Sequence, residues 1–408
     1  MTDEQTNNRT CAAIAAQVHD FYEQHPYPPP RDDLEAYRRA WDEDRRRAES
    51  FLFWPNEPYR DDRSVLVAGC GTMQAARYAV RWPRARVVGI DVSEASIAFT
   101  EQLKAKYALD NLELRPLGIE SAAELGETFE HVVCTGVLHH LPDPDAGLHA
   151  LRNALARNGA LNVMVYAPYG RSGIYMLQEY CRRIGAGTTD DDIRDLASSL
   201  RPLPQDHPIV PLLRNSPDFA TTAGLADALL HPNDRAYSVP QFMDFLRRGK
   251  CSFGRWIRQA PYLPNCGAIA STPHAARLQR LPRHEQFAAM ELFRGTMVRH
   301  AAVAYRDDES SNEQIEFEAD AWSRFIPVRL PDTIVARENL PPGCVAVLVN
   351  RNHTYNDLYL PVDAPEERWL ERIDGKRTIA EIAEPADLDA ATCFFRRLED
   401  WDQITFCR

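Results

Sequence analysis

The sequence predicts an α/β fold built around a parallel sheet, and three observations carry that prediction. Between Arg63 and about Pro168, strand-like and helix-like stretches alternate in a βαβ rhythm. The strand-like stretches, such as "ARVVGI", are apolar almost throughout, as strands are when both faces of their sheet are covered. The first strand also runs into a helix through a turn built on two glycines, "VAGCGTMQ". Ligands of such sheets bind beyond the carboxyl ends of the strands, near the point where strand order reverses.

Taken in order, residues 1–10 are polar and expected to be disordered. The stretch "CAAIAAQVHDFYEQ" reads as helix and ends at "HPYPPP", where four prolines in six residues forbid helix. The charged stretch "DDLEAYRRAWDEDRRRAESFLFW" reads as one further helix stopping before Pro55. Residues 1–62 therefore form an expected helical lid. Residues 63–168 supply the strands "SVLVAGC", "ARVVGIDV", "LELRPL", "HVVCTGV" and "GALNVMVYA", with helices between them. Residues 169–325 are punctuated by proline and read as mostly helical, a cap with packing of its own. Residues 326–408 turn to short strands and helices, a small α+β unit.

The chain has 408 residues, which implies two or three domains. A formal charge of -12 argues against a sequence-independent grip on phosphate backbones, so no nucleic-acid partner is expected. Nine cysteines stand singly without a CxxC, which fits a reducing cytoplasm. No apolar run approaches the roughly 18–20 residues that span a bilayer, so a soluble chain without a membrane partner is expected. Oligomeric state cannot be read from these features.

At the glycine turn, Gly69 and Gly71 offer bare backbone at a helix N-terminus. A dinucleotide fingerprint would need a third glycine where Gln74 stands, and a P-loop would need GK[ST]. Asp91 follows at the tip of the second strand, about 20 residues on, where a carboxylate can accept from ribose hydroxyls. A plain βα turn and a helix-capping aspartate would account for the same residues.

Strand, glycines, helix, strand and acid in this order, followed by "CTGVLHHLPDP", resemble the small-molecule branch of the class I S-adenosylmethionine-dependent methyltransferases. The resemblance covers about a quarter of the chain and implies a Rossmann-like methyltransferase fold with S-adenosylmethionine as cofactor. It implies that Gly69, Cys70 and Gly71 lie against the methionine moiety and that Asp91 holds the ribose. Val92, Ile119 and Glu120 would flank the adenine, and Thr135, Gly136 and Val137 would line the methionine side. The sequence departs from the family at Val67, where an acidic residue is usual, and at Met73, where glycine is.

A sulfonium methyl transfers by in-line displacement, so the protein must place the nucleophile and take its proton. His139 and His140 leave the fourth strand where an acceptor would arrive, and either could be the base or a packing residue. Tyr169 is a further catalytic candidate. Tyr166, Arg171, Tyr175 and Glu179 follow the fifth strand and could line an acceptor pocket, with Tyr22 and Tyr27 closing over it. No metal site is expected, because His131, His139 and His140 lack metal-ligand spacing. The leading expectation is methyl transfer to oxygen or nitrogen of a small molecule. The chain lacks the [DN]PP[YFW] string of many enzymes that methylate nucleic acids or glutamine.

Near the C-terminus, "LERIDGKRTIAEIA" resembles the central segment of PqqD-like winged-helix domains, which bind leader peptides. That resemblance raises a second expectation, a peptide or protein acceptor docked through residues 326–408. Local caps at Asp374-Gly375 and Thr378…Glu381 would explain the string without a partner. A third expectation is a non-catalytic, cofactor-binding regulatory subunit.

Overall fold

The computed structural model describes residues 3–31, 33–308 and 322–407; the side chains of residues 3–9 are not described. Five strands form the parallel heart of the fold: β1 (Val65–Ala68), β2 (Val87–Asp91), β3 (Leu112–Pro116), β4 (Phe129–Thr135) and β5 (Leu155–Tyr166). β1 pairs with β2 on one side, Val65 opposite Val87, and with β4 on the other, Val65 opposite His131. Strand order thus reverses at β1, which is buried along its whole length. Helices Gln74–Arg81, Glu94–Tyr107 and Pro144–Ala154 make the crossovers. Ser93 and Asp143 start two of them by accepting the N–H of Ser96 and Ala146 at 3.1 and 3.0 Å.

The described residues of segment 169–325 are mostly helical, with two strands that the sequence reading did not foresee. These are β6 (Cys251–Trp256) and β7 (Arg299–Arg306), which extend the sheet to seven strands in the order β3-β2-β1-β4-β5-β7-β6. Residues 309–321 of that segment lie outside the described residues. Two further expectations change near the N-terminus. Helix begins at Asp3 rather than after residue 10, while residues 1 and 2 lie outside the described residues. The single charged helix is broken into Glu35–Ala40 and Glu43–Phe53, because the Asp42 carboxylate takes the Arg45 N–H at 2.9 Å and starts a new helix.

The chain divides into two compact units, each assembled from three stretches: 1–40, 62–251 and 295–301 in the first, 41–61, 252–294 and 302–408 in the second. In the first unit a helical core of Ile174, Leu177, Ile193, Leu196, Leu225 and Leu229 also takes in Phe21 of the N-terminal helix. In the second, β11 (Leu360–Val362), β10 (Ala346–Asn350) and β9 (Thr333–Ala336) form one antiparallel sheet, and β12 (Ile404–Cys407) pairs with β8 (Ile326–Arg329). Helix Glu43–Phe53 packs Ala48 and Phe51 against Val328 and Cys407 in this same unit. The caps foreseen near the C-terminus form: Thr378 N–H donates to Glu381 at 2.7 Å, Glu381 N–H returns to Thr378 at 3.3 Å, and Gly375 has φ +70. Among the described residues no helix is long and apolar enough to cross a membrane.

Candidate active site

The glycine turn is fixed by its neighbours before any ligand is considered. Gly69 and Cys70 both donate their N–H to the Ile90 carbonyl, at 2.9 and 3.0 Å, stitching the turn to β2. Both glycines have positive φ, +69 and +52, which L side chains rarely adopt. A Cβ on Gly69 would meet Val137 Cγ2 at 2.4 Å, and one on Gly71 would meet the Tyr27 carbonyl oxygen at 2.5 Å. The glycines are therefore required by the protein's own packing, the plain-turn reading that the sequence left open beside a ligand. Thr72 Oγ1 also donates to the Pro28 carbonyl at 2.7 Å, so the segment after the N-terminal helix lies on this turn.

Asp91 closes the turn from β2. Its two carboxylate oxygens accept the N–H of Gly71 at 2.7 Å and of Ser93 at 2.9 Å. Burial pushes its pKa up, and these backbone donors pull against that rise. Each oxygen keeps a lone pair for a further donor. Val92 and Glu120 converge beside it: a Cβ on Gly118 would lie 3.5 Å from Val92 Cγ1 and 3.5 Å from Glu120 Oε2. Ile119 is buried, while Val92 and Glu120 are exposed. At the end of β4, Thr135 Oγ1 accepts from Gln74 Nε2 at 2.6 Å, and Gly136 has φ +83. Burial pushes the Cys70 thiol well up, so it stays protonated. Val67 and Met73, the two departures from the family pattern, are both buried.

A cluster of polar side chains follows directly from Val137. His139 and His140 sit in the 3-10 turn Leu138–His140, and their ring centroids are 4.2 Å apart. Tyr166, at the end of β5, lies 4.0 Å from the His139 ring, and the Arg171 guanidinium stacks 3.5 Å over the Tyr166 ring. Arg171 also donates to Tyr175 Oη at 3.2 Å and to Asp234 Oδ2 at 3.3 Å. The His231 ring lies 3.9 Å from that of His140, and Tyr22 donates its hydroxyl to Asp227 at 3.2 Å. His140 Nδ1 is 2.9 Å from the Asn233 carbonyl oxygen, so it carries the proton and donates, leaving Nε2 bare. Burial, followed by the charges of His140 and Arg171, holds His139 well below the ordinary histidine range, so its ring is neutral.

Of the residues singled out from sequence, the structure gathers Tyr22, His139, His140, Tyr166, Arg171 and Tyr175. Tyr27 is tied to the glycine turn through its backbone, and burial followed by Asp227 and Asp218 raises its hydroxyl pKa. Tyr169 is exposed, in the turn before helix Ser172–Ile184. Glu179 does not join Tyr175; it pairs with Arg182 and Arg183 on the outer face of the same helix. Sequence reasoning missed Asp227, His231 and Asp234. The last two belong to the run "HPND", which reads only as a turn.

Comparison with known proteins adds a family to this geometry. Residues 66–161 match the family model described as a methyltransferase domain. An uncharacterized protein of Synechococcus sp. is 27% identical over 292 residues, 69% of each chain. A tRNA U34 carboxymethyltransferase of Actinobacillus succinogenes is 37% identical over 101 residues, 24% of this chain and 31% of that protein. Among solved structures, PKMT2 from Rickettsia typhi in complex with AdoHcy superimposes with a TM-score of 0.61 at 17% identity, over 94% of this chain and 77% of that one. Residues 66–161 thus match a methyltransferase domain, set in a Rossmann-like fold.

Proposed function

We propose that this chain is an S-adenosylmethionine-dependent methyltransferase acting on an oxygen or nitrogen nucleophile of a small-molecule acceptor. One observation carries the reading: the Asp91 carboxylate is fixed over the glycine turn at the point where strand order reverses, and the end of β4, beside that turn, leads into buried imidazoles. When bound, S-adenosylmethionine supplies a methyl group already activated on a sulfonium. Asp91 would accept from its ribose hydroxyls, and Glu120, with Val92 and Ile119, would hold the adenine. The backbone of residues 69–71 and Thr135, Gly136 and Val137 lines the methionine side. The residues fit this group, since the carboxylate and the Val92–Glu120 pair line neighbouring strand ends.

His140 Nε2 is the base that takes the acceptor's proton, because the Asn233 carbonyl fixes the tautomer that leaves it bare. His139, Tyr166, Arg171 and Tyr175 shape the acceptor's side, with Tyr22 and Tyr27 from the N-terminal segment. Tyr169 and Glu179, turned to the surface, take no part. Replacing Asp91 with alanine is expected to weaken cofactor binding by roughly 2–4 kcal/mol, since it removes charge-assisted hydrogen bonds. Titration calorimetry of the full chain reads this directly, and unchanged affinity would overturn the assignment.

A further inference from the structure

We propose that His139, His140 and Asp234 form a binding site for a divalent transition-metal cation. One ligand atom from each residue can be chosen so that all lie within 4.8 Å of one another. Two imidazoles and a carboxylate suit zinc and its first-row neighbours, and they suit magnesium or calcium poorly.

Clustering alone would not carry this. The second observation is that candidate donor atoms of these three residues are buried and have no hydrogen-bond partner: both ring nitrogens of His139, Nε2 of His140 and Oδ1 of Asp234, which lies 3.9 Å from His140 Nδ1. His139 is 0% exposed, and the Asp234 side chain is 2% exposed. A buried polar atom without a partner costs about 1–3 kcal/mol, and here four of them belong to three adjoining residues. Coordination would satisfy them.

The surrounding groups orient these atoms from behind, as partners of metal ligands do. Arg171 and Gln178 hold Asp234 Oδ2 at 3.3 and 3.0 Å, which leaves Oδ1 as the donor. The Asn233 carbonyl takes the His140 Nδ1 proton, while the Asn233 amide donates to the His140 and Leu141 carbonyls at 2.8 and 3.0 Å. Metal–ligand bonds of about 2.0–2.2 Å require the three atoms to draw together to about 3.3 Å, a side-chain adjustment of roughly 1 Å or more. His231 Nε2, also buried and without a hydrogen-bond partner, belongs to a ring centred 3.9 Å from that of His140 and is a candidate for a fourth protein ligand. The sequence hid this site because Asp234 lies 94 positions beyond His140.

Coordination would occupy His140 Nε2, the atom assigned above as the base, so the two roles exclude each other; cation binding is measured without cofactor or acceptor, which separates them. The full chain is stripped with a chelator and dialysed against Zn2+, and bound metal is quantified by mass spectrometry. Stoichiometric binding is expected in the parent chain, weakened at least about tenfold in Asp234→Asn and in His139→Gln. Substitution by Co2+ in the parent chain covers the case in which a variant fails to fold. Its visible spectrum is expected to lack the thiolate charge-transfer band that cysteine ligation would give. Substoichiometric binding, equal affinity in both variants, or a thiolate band would overturn the site.

Discussion

Each of the two units buries a set of charged side chains, and the sets are finished differently. In the second unit Asp402 receives the N–H of Gln259 and of Ala260, each at 3.0 Å and one on each oxygen, with His353 Nε2 a further 3.2 Å away. Its neighbours are also engaged: Glu399 accepts from Gln259 Nε2 at 2.7 Å and pairs with Arg255 at 3.2 Å, and Asp400 accepts from Asn265 at 2.7 Å. In the first unit Asp234 has one oxygen engaged and one bare, and His139 has no hydrogen-bond partner on either nitrogen. The difference lies in the carboxylates and not in the imidazoles, since His353 also lacks a hydrogen-bond partner on either nitrogen: both oxygens of Asp402 are occupied by its own chain, and Oδ1 of Asp234 is not.

The largest expected effect tests the finished set. Asp402→Ala strands two buried N–H groups, leaves Arg255 to Glu399 alone, and places alanine at φ +55. A loss of about 3–5 kcal/mol is expected from the denaturant midpoint of the full chain. A loss under about 1 kcal/mol would mean that the network is decorative and the contrast false. The next effect has the opposite sign. His139→Leu, in chelator-stripped protein, is expected to raise stability by about 1 kcal/mol, because it removes two buried nitrogens that nothing satisfies. Destabilisation of that size would show that the ring is structural.

The smallest effect is a slope. Burial pushes Glu399 from its ordinary 4.5 up to about 7, against the pull of Arg255. Between those values the folded chain holds a proton that the unfolded chain has released. Stability should therefore fall as pH rises from 4.5 to about 7 and level off above. Glu399→Gln is expected to flatten that part of the profile, which a pH series of denaturant midpoints reads out. An identical slope in the variant would place the proton elsewhere.

How far the sequence could be read follows from the range of the forces involved. The alternation from β1 to β5 is written locally, in apolar runs, glycines and caps such as Ser93 and Asp143, and it was legible. β7 was not, because "RHAAVAYR" is a short run of small apolar residues that suits helix and strand equally, and only its place in the sheet decides. The break at Asp42 was missed because a charged run hides a capping aspartate among like residues. Asp91 and the histidine pair were visible as residue types in order. Asp227, His231 and Asp234 were not, because what makes them notable is burial beside residues distant in sequence. Tyr175 and Tyr169 are the same residue type near one strand end, and only the start of the helix at Ser172 turns one toward Arg171 and leaves the other outside.

The Tyr27 carbonyl resting against Gly71, with Pro28 bonded to Thr72, links stretches of chain some 44 positions apart. For inheritance this means that the two cannot drift independently. A methyl group at position 71 is barred while the backbone at 27 holds its place, so the earlier stretch has to move away first. Related chains that have lost or rerouted the stretch before the first strand are where departures from glycine at 71 should be sought.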